Sequence, residues 1–309
     1  MEGRATEAQV AALLMGLRAK GETVAEMTGL VDAMYEAALT VDAGEDVVDV
    51  VGTGGDGAGT FNISTTAALV AAGAGAHIAK HGNRAASSQT GSADLLERLG
   101  IRLDLPPAET VEMIRSVGFG FFFAPGYHPA MRHAASVRRQ LGIRTVFNFL
   151  GPLCNPALTK RAAVGVSDAA MAELMAGVLL ARGAEYAFVF HGHGGLDELS
   201  TAGLSTIHRI RDGEITTAQF QPSDFGVAAA SVAEIQGGDA AENERITRSI
   251  LAGAAGPRRD IVVVNAAPAI VVAGLATGFA EGIILAEQAI DSGTAATVLE
   301  RAVEFSNSV

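Results

Sequence analysis

A run of glycines and small polar residues carries the first sign of chemistry in this sequence. The β-branched segment Val47-Val48-Asp49-Val50-Val51 leads into Gly52-Thr53-Gly54-Gly55-Asp56-Gly57, and an alanine-rich helix follows Ser64 and Thr65. Glycines let backbone N–H groups approach a phosphate closely, and the first turn of a helix presents a positive electrostatic end. The segment therefore indicates a phosphate site, although an ordinary helix cap after a flexible turn is the alternative.

The spacing of Gly52, Gly54 and Gly57 also matches the dinucleotide-binding pattern G-x-G-x-x-G. That pattern requires an acidic residue about 20 positions further on, where it binds a ribose hydroxyl. Residues 73–82 contain Lys80 but no carboxylate. Because no Lys-Ser or Lys-Thr pair follows the glycines either, the sequence disfavours both a Rossmann dehydrogenase and a P-loop nucleotide site.

A second polar segment follows a short strand predicted at residues 76–79. The loop predicted at residues 80–91 contains three residues that can carry a positive charge, Lys80, His81 and Arg84, together with two serines. Basic side chains and hydroxyls at the end of a strand suit a polyphosphate, and a solvated basic loop is the alternative. Two such polar segments after successive strands favour the phosphate interpretation.

A pair of adjacent carboxylates, Asp197 and Glu198, follows an apolar strand predicted at residues 186–190. Such a pair suits a hard cation that is also held by waters and substrate oxygens, and plain surface charge is the alternative. His191 and His193 lie nearby. Zinc is disfavoured because no cysteine or third histidine accompanies them.

Three arginines could recognise a carboxylate. Arg138 and Arg139 stand within a helix predicted at residues 128–142, and Arg144 follows it. A planar guanidinium matches the geometry of a carboxylate, whereas exposure on a helix surface is the ordinary explanation for each of them.

The composition limits the classes of function. The chain has 309 residues, a net charge of −12 and 49% hydrophobic residues, which argues against a nucleic-acid binder and allows a large core. Residues 261–280 are uncharged but are interrupted by Pro268 and three further turn-forming or polar residues. We therefore expect a buried element and no membrane anchor. The single Cys154 and the charged N-terminus without a signal peptide predict a cytoplasmic protein.

The order of the predicted elements indicates an α/β fold. Helices occupy the first 40 residues, where Val10, Leu13, Leu14 and Leu17 recur at helical spacing before Lys20-Gly21. Strands then alternate with helices, including one from Ser92 to about Leu99 and one at residues 281–290. This alternation predicts a mainly parallel central sheet with ligands at the carboxyl ends of its strands.

Taken together, the motifs resemble those of the anthranilate phosphoribosyltransferases, a family of tryptophan biosynthesis. They occur in family order along nearly the whole chain. The matching segments are Gly52-Thr53-Gly54-Gly55-Asp56, Asn62-Ile63-Ser64-Thr65, Lys80-His81-Gly82-Asn83-Arg84, Gly91-Ser92-Ala93-Asp94, His128-Pro129-Ala130-Met131, Phe147-Asn148-Phe149-Leu150-Gly151-Pro152 and Leu196-Asp197-Glu198.

The resemblance implies transfer of a phosphoribosyl group from phosphoribosyl pyrophosphate (PRPP) to anthranilate. It implies magnesium, with a pair of ions per active site, held by Ser64, Asp197 and Glu198. Anthranilate would contact Gly52, Asn83 and Arg138. No general base is evident, and Lys80 would stabilise charge. The implied PRPP-binding residues are Gly52, Gly55, Asp56, Thr60, Asn62, Ile63, Ser64, Thr65, Lys80, His81, Gly82, Asn83, Arg84, Ala85, Ala86, Ser87, Ser88 and Ser92.

The resemblance also implies two domains with the active site in the cleft between them. The helical domain would comprise residues 1–44 with about 127–160, and the α/β domain residues 45–126 with about 161–309. The family is usually a homodimer joined through the helical domain, and it normally has one more helix before the first one predicted here. Cys154 and Gln89 depart from the residues usual in the family.

Two other functions remain as alternatives. A pyrimidine nucleoside phosphorylase shares this fold and a related glycine loop, but it uses a different second loop. A non-enzymatic, nucleic-acid-binding relative would keep the fold and lose the site; the complete glycine segment, the Asp197-Glu198 pair and the net charge of −12 oppose it.

Overall fold

A computed structural model describes residues 3–85 and 89–309 of the chain. Three of the predicted PRPP-binding residues, Ala86, Ser87 and Ser88, lie outside the described residues.

A single seven-stranded sheet forms the centre of the molecule. Its strand order is β3-β2-β1-β4-β5-β6-β7; the first five of these strands run parallel, and β6 and β7 complete the sheet as an antiparallel hairpin. The strands are β1 (Val47–Gly52), β2 (His77–Gly82), β3 (Phe119–Phe123), β4 (Arg161–Gly165), β5 (Tyr186–His191), β6 (Ser205–Arg211) and β7 (Glu214–Phe220).

The strand order reverses between β1 and β4. The chain passes from β1 to β2 and β3 on one side, and later adds β4 and β5 on the other side of β1. In open parallel sheets, ligands bind at the carboxyl ends of the strands where the order reverses. The segments that follow β1 and β4 are therefore the first place to look for a site.

Helices cover both faces of the sheet. They are α1 (Glu7–Lys20), α2 (Val24–Glu36), α3 (Ile63–Gly73), α4 (Ser92–Leu99), α5 (Pro107–Val117), α6 (Ala124–Tyr127), α7 (Arg132–Leu141), α8 (Phe147–Leu150), α9 (Ala169–Ala181), α10 (Ala240–Leu251), α11 (Pro257–Val272), α12 (Phe279–Asp291) and α13 (Thr294–Ser308).

Each face of the sheet has its own apolar core. On one face α3 packs against α11, α12 and α13. On the other face α1, α2, α7 and α8, which we call the helical layer, share a core with α9 and with the buried side chains Val51, Val164 and Val189. The helices of the layer come from two separate parts of the sequence, because α1 contacts α7 and α2 contacts α8.

Several predicted helix boundaries are confirmed. A capping box at Thr23 and Glu26 satisfies backbone donors at the start of α2. The first helix ends at Lys20, before Gly21, and α4 ends at Gly100, whose left-handed φ of 103° favours glycine.

Other boundaries differ from the predictions. Strand β2 extends to Gly82, so Lys80 and His81 are strand residues and not loop residues. The C-terminal helix predicted at residues 281–290 is confirmed as α12, but α13 follows it and was not predicted. Leu13, expected in the apolar face of the first helix, is 55% exposed.

The uncharged segment 261–280 forms the buried part of α11, a turn and the start of α12. None of the helices in the described residues has the length and apolar character needed to cross a membrane.

A buried amide joins α11 to the segment after β5. Asn265 accepts a hydrogen bond from the Leu199 N–H at 2.7 Å and donates to the Leu199 carbonyl at 2.9 Å. It also donates to the Ile261 carbonyl one helical turn earlier, at 2.8 Å. Both Asn265 and Leu199 are almost completely buried, so water cannot replace these bonds. Because Glu198 precedes Leu199, this amide fixes the backbone of the acidic pair.

We predict that Asn265→Ala lowers the free energy of unfolding by about 2 to 4 kcal/mol, because it leaves buried backbone groups of Leu199 without partners. Urea denaturation measures this change. Gln288→Ala, an amide removed from the exposed face of α12, is the control and should change stability by no more than about 0.5 kcal/mol. Equal stabilities of the two variants would contradict the role of Asn265.

Candidate active site

The loop after β5 crosses the carboxyl ends of β1 and β4 at very short range. We call residues 192–198 the acidic loop. A Cβ atom added at Gly52, the last residue of β1, would lie 2.4 Å from Asp197 Oδ2. A Cβ atom at Gly165, the last residue of β4, would lie 1.7 Å from the Asp197 carbonyl oxygen. Only glycine fits at these two positions, so the two strand ends and Asp197 form one compact unit.

Backbone N–H groups hold the predicted metal-binding carboxylates. Gly54 N donates to Asp197 Oδ2 at 2.6 Å, and Ser64 N, in the first turn of α3, donates to Glu198 Oε1 at 3.0 Å. The structure therefore brings together the glycine loop (residues 52–57), the start of α3 and the acidic loop.

The electrostatics of this cluster favour a cation. Burial, together with the neighbouring carboxylate of Asp56, raises the pKa of Asp197 to about 7. Burial also raises the pKa of Glu198 well above its usual value, with a contribution from the charge of Asp197. Carboxylates that repel one another in a desolvated place are stabilised in the ionised form by an added positive charge.

Lys80 lies behind the carboxylates and is 1% exposed. The backbone pairing of β1 with β2 ends at Val48 and Ile78. After that point side chains join the two strands: Lys80 Nζ donates to the Val50 carbonyl, and His81 N donates to Asp49 Oδ1 at 3.1 Å. Burial lowers the pKa of Lys80, while the charges of Asp49, Glu198 and Asp197 oppose this shift. Lys80 therefore lies close to the acidic loop, although it is in a strand.

His81 does not add positive charge to the site. Burial, together with His128, whose ring centre lies 5.1 Å away, lowers its pKa to about 3. His81 Nδ1 lies 3.2 Å from the Gly151 carbonyl. The imidazole is therefore neutral near pH 7, and the basic cluster expected from the sequence is smaller than predicted.

Arg84 is paired with carboxylates of α4. Its guanidinium lies 3.0 Å from Asp94 and 2.6 Å from Glu97, and these hydrogen bonds raise the pKa of Arg84 above its usual value. Asp94 also accepts from Ala85 N at 3.0 Å and Gly91 N at 2.9 Å. Asp94 therefore links Ala85 and Gly91 to α4.

Asn83 follows Gly82 at the end of β2. Its carbonyl accepts from Ser92 Oγ at 3.2 Å, and a Cβ at Gly82 would lie 2.3 Å from the same hydroxyl oxygen. Asn83, Gly82 and Ser92 are therefore one contact group at the edge of the site.

The remaining predicted residues surround the start of α3. Asn62 donates from Nδ2 to the Thr90 carbonyl at 3.0 Å and accepts at Oδ1 from Asn243 at 2.9 Å. Ile63 and Thr65 are buried, and Thr60 forms an isolated bridge with Gln236. Ile63 N donates to the Phe61 carbonyl at 2.7 Å, so of these two α3 residues it is Thr65 that can offer its backbone N–H to the site.

Arg138 is a half-buried guanidinium on α7. It lies over the ring of Phe147, with 5.8 Å between its central carbon and the ring centre, and burial lowers its pKa. No carboxylate of the described residues forms an ion pair with it. Arg138 can therefore accept an external anion.

The histidines of the acidic loop region are not arranged for zinc. His191 Nδ1 lies 2.7 Å from the Val166 carbonyl, and His193 is exposed. In residues 3–85 and 89–309, no group of at least three His, Cys, Asp or Glu side chains forms a ready-made metal site. Asp197 and Glu198 are thus a partial ligand set, of the kind that magnesium completes with waters and substrate oxygens.

Comparison with known proteins identifies the family. Residues 44–296 match the α/β domain of a glycosyl transferase family, and residues 1–38 match its helical bundle domain. The chain is 52% identical to the anthranilate phosphoribosyltransferase of Symbiobacterium thermophilum over 99% of this chain and 90% of that protein. The chain belongs to the anthranilate phosphoribosyltransferase family.

Solved structures of family members agree. The crystal structure of the anthranilate phosphoribosyltransferase of Thermus thermophilus superposes with a TM-score of 0.93, at 42% identity over 99% of this chain and 92% of that one. The Saccharomyces cerevisiae enzyme in complex with PRPP and Mg gives a TM-score of 0.89 at 32% identity, covering 98% of this chain and 86% of that one. The same yeast enzyme was also solved with 4-fluoroanthranilate. The predicted family, fold class and enzyme class are confirmed.

One residue at the glycine loop was not singled out from the sequence. Arg144 Nη1 donates to the Gly55 carbonyl at 3.1 Å, and Nη2 donates to the Gly54 carbonyl at 3.2 Å. In the sequence it could not be distinguished from Arg139, which is exposed. Only the tertiary fold brings Arg144 to the glycine loop.

We predict that Gly165→Ala lowers the free energy of unfolding by about 2 kcal/mol or more, because its Cβ would overlap the backbone of Asp197. Gly29→Ala is the control: Gly29 lies inside α2 with nothing within 4 Å of an added Cβ, so the protein should gain up to about 1 kcal/mol. Urea denaturation of both variants tests this, and unchanged stability of Gly165→Ala would contradict the close approach.

Proposed function

We propose that this chain transfers the 5-phosphoribosyl group of PRPP to the amine of anthranilate, giving N-(5-phosphoribosyl)anthranilate and pyrophosphate, in tryptophan biosynthesis. The observation that carries the proposal is the meeting of the glycine loop, the start of α3 and the Asp197-Glu198 pair, in a chain that belongs to the anthranilate phosphoribosyltransferase family.

PRPP binds across the carboxyl ends of β1 and β2 in this proposal. The glycine loop and the first turn of α3 supply backbone N–H groups, which suit phosphate oxygens, and Lys80 supplies a buried charge. The complex of the yeast enzyme with PRPP and Mg supports this assignment. The proposed PRPP-binding residues are Gly52, Gly55, Asp56, Thr60, Asn62, Ile63, Ser64, Thr65, Lys80, His81, Gly82, Asn83, Arg84, Ala85, Ala86, Ser87, Ser88 and Ser92.

Magnesium is the proposed cofactor, with a pair of ions held by Ser64, Asp197 and Glu198. The donor set fits because all three side chains offer oxygen, the element that magnesium prefers. The raised pKa values of the two carboxylates also fit, since a divalent cation removes their mutual repulsion. When bound, magnesium would neutralise charge on the leaving pyrophosphate.

Anthranilate is assigned to Gly52, Asn83 and Arg138. The unpaired guanidinium of Arg138 matches the carboxylate of anthranilate, since planar partners of opposite charge form paired hydrogen bonds. Gly52 ends β1 and Asn83 follows β2, so both lie at the carboxyl ends of neighbouring strands. The structure of the yeast enzyme with 4-fluoroanthranilate supports this assignment.

The residues act mainly by positioning and by stabilising charge. The aromatic amine of anthranilate is already neutral near pH 7, so attack on the anomeric carbon of the ribose needs no strong base. Arg138 orients the amine through the carboxylate, and Lys80 Nζ stabilises negative charge on the departing pyrophosphate. This division of roles explains why no catalytic dyad or triad stands out in the sequence.

The proposed domain organisation is discontinuous. Residues 1–44 with about 127–160 form the helical domain, and residues 45–126 with about 161–309 form the α/β domain. The contacts of α1 with α7 and of α2 with α8 support this division. We also propose a homodimer through the helical domain, supported by the exposed apolar residues Leu13 and Met15 on α1. The single, buried Cys154 suits the reducing cytoplasm, which is the proposed location.

We predict that the double variant Asp197→Asn, Glu198→Gln loses at least about 100-fold in kcat and no longer responds to magnesium, because neutral amides hold a divalent cation poorly. Turnover is followed by the loss of anthranilate fluorescence during a magnesium titration. The matched control is Asp212→Asn, Glu214→Gln, which neutralises two exposed carboxylates at the β6–β7 turn and should remain active. Normal magnesium-dependent turnover of the Asp197, Glu198 variant would exclude these residues as metal ligands.

We predict that Arg138→Ala raises the KM for anthranilate by about 10- to 100-fold, the effect of losing a charge-assisted pair. The KM for PRPP should change little. Arg139→Ala removes an exposed guanidinium from the same helix and is the control. If both variants bind anthranilate as the wild type does, the carboxylate of anthranilate is recognised elsewhere.

A further inference from the structure

We infer that Arg144 is a positioning residue for PRPP binding: its guanidinium, anchored in the helical layer, holds two carbonyls of the glycine loop so that the loop's N–H groups face the phosphates. The inference rests on the proposed function, because it assigns a role in binding the substrate named there. Arg144 itself is not placed in contact with either substrate.

The position of Arg144 connects the helical layer to the glycine loop. It lies between α7 and α8, and its guanidinium lies 4.8 Å from the centre of the Phe149 ring. Phe149 and Val146 are buried in the core of the helical layer, together with residues of α1 and α2. The base of the Arg144 side chain is therefore fixed by the helical layer, while its tip reaches the loop after β1.

The guanidinium holds consecutive peptide groups of the glycine loop. It donates to the carbonyl oxygens of Gly54 and Gly55, at 3.2 and 3.1 Å. In a trans peptide the carbonyl and the next N–H point in opposite directions. Holding these two carbonyls therefore aims the N–H groups of Gly55 and Asp56 away from Arg144.

The N–H groups aimed in this way are available for a ligand. Within the described residues, neither Gly55 N nor Asp56 N donates a hydrogen bond to another group of the chain. Both glycines before Asp56 have positive φ, 68° at Gly54 and 72° at Gly55. Such a backbone has a broad conformational freedom in the absence of contacts, so the loop needs an external constraint to keep its N–H groups in place.

Ser167 extends the constraint to β4. Its Oγ accepts from Arg144 Nη2 at 2.8 Å and lies 3.0 Å from Thr53 Oγ1. Ser167 N also donates to Thr53 Oγ1 at 3.1 Å, and Ser167 Oγ donates to the Gly54 carbonyl at 3.0 Å. Arg144 and Ser167 thus join the segments that follow β1 and β4.

The charge of Arg144 also favours a polyanion. In residues 3–85 and 89–309, no carboxylate forms an ion pair with Arg144. Its guanidinium contacts carbonyl and hydroxyl oxygens and the ring of Phe149, which carry no negative charge, so Arg144 adds to the positive potential at the glycine loop. A lysine would keep the charge but lacks the planar fork that holds two carbonyls together.

Steady-state kinetics of Arg144→Ala and Arg144→Lys test the inference. We expect Arg144→Ala to raise the KM for PRPP by about 10- to 100-fold, with the KM for anthranilate within about three-fold of the wild type. Arg144→Lys should recover only part of the loss, since it restores charge without the fork. Ser167→Ala should shift the KM for PRPP in the same direction by a smaller factor. Arg139→Ala, on the exposed side of α7, is the control and should leave both KM values unchanged.

Chemical rescue separates positioning from a general loss of folding. Guanidinium chloride at tens of millimolar, far below denaturing concentrations of about 1 M or more, should lower the KM for PRPP of Arg144→Ala, whereas an equal concentration of sodium chloride should not. Hydrogen exchange of a peptide covering the glycine loop should be faster in Arg144→Ala and slower again with guanidinium.

The outcomes distinguish this inference from the function on which it rests. A wild-type protein without PRPP-dependent turnover would contradict the proposed function. An active wild type together with an unchanged KM for PRPP in Arg144→Ala would contradict the positioning role alone. Parallel increases in both KM values, with no rescue by guanidinium, would also contradict it, because they would indicate a structural role without preference for the phosphate site.

Discussion

The close approach of the acidic loop to the ends of β1 and β4 is the constraint on which the rest of the site depends. The Asp197 carbonyl occupies the space that a side chain at Gly165 would fill, and the Asp197 carboxylate occupies the space at Gly52. This contact removes the carboxylates from water, which raises the pKa values of Asp197 and Glu198. It also brings them to the N–H groups of Gly54 and Ser64. Such an arrangement of carboxylates favours a bound cation.

The chain has a net charge of −12, yet its proposed substrate is a polyanion. Positive potential is not spread over a basic surface; it comes from a few placed groups. Lys80 is buried next to the carboxylates, the first turn of α3 donates an N–H to Glu198, and Arg144 donates to carbonyls of the glycine loop. Arg138 is kept free of protein carboxylates in the described residues. Positive groups placed close to the phosphates act at short range, so the negative net charge of the chain does not prevent phosphate binding.

The sequence predicted the fold class and the segments that meet, because glycine runs, capping boxes and apolar strands are local signals. It did not predict the length of β2. Lys80 and His81 look like loop residues, yet they pair with Phe121 and Phe122 of β3, which keeps them in the strand. Their hydrogen bonds to Val50 and Asp49 replace the backbone pairing with β1. The neutral state of His81 could not be predicted either, since it follows from burial beside His128. Arg144 was indistinguishable from Arg139 because only the packing of the helical layer brings it to Gly54 and Gly55.

The most direct test of the central claim is the fluorescence of anthranilate mixed with the purified chain, PRPP and magnesium. We expect fluorescence to fall as anthranilate is consumed, and to stay constant when PRPP is omitted or when a chelator removes the metal. A folded protein that leaves the fluorescence unchanged in the complete mixture would contradict the account, because the acidic loop, the glycine loop and α3 would then meet for another purpose.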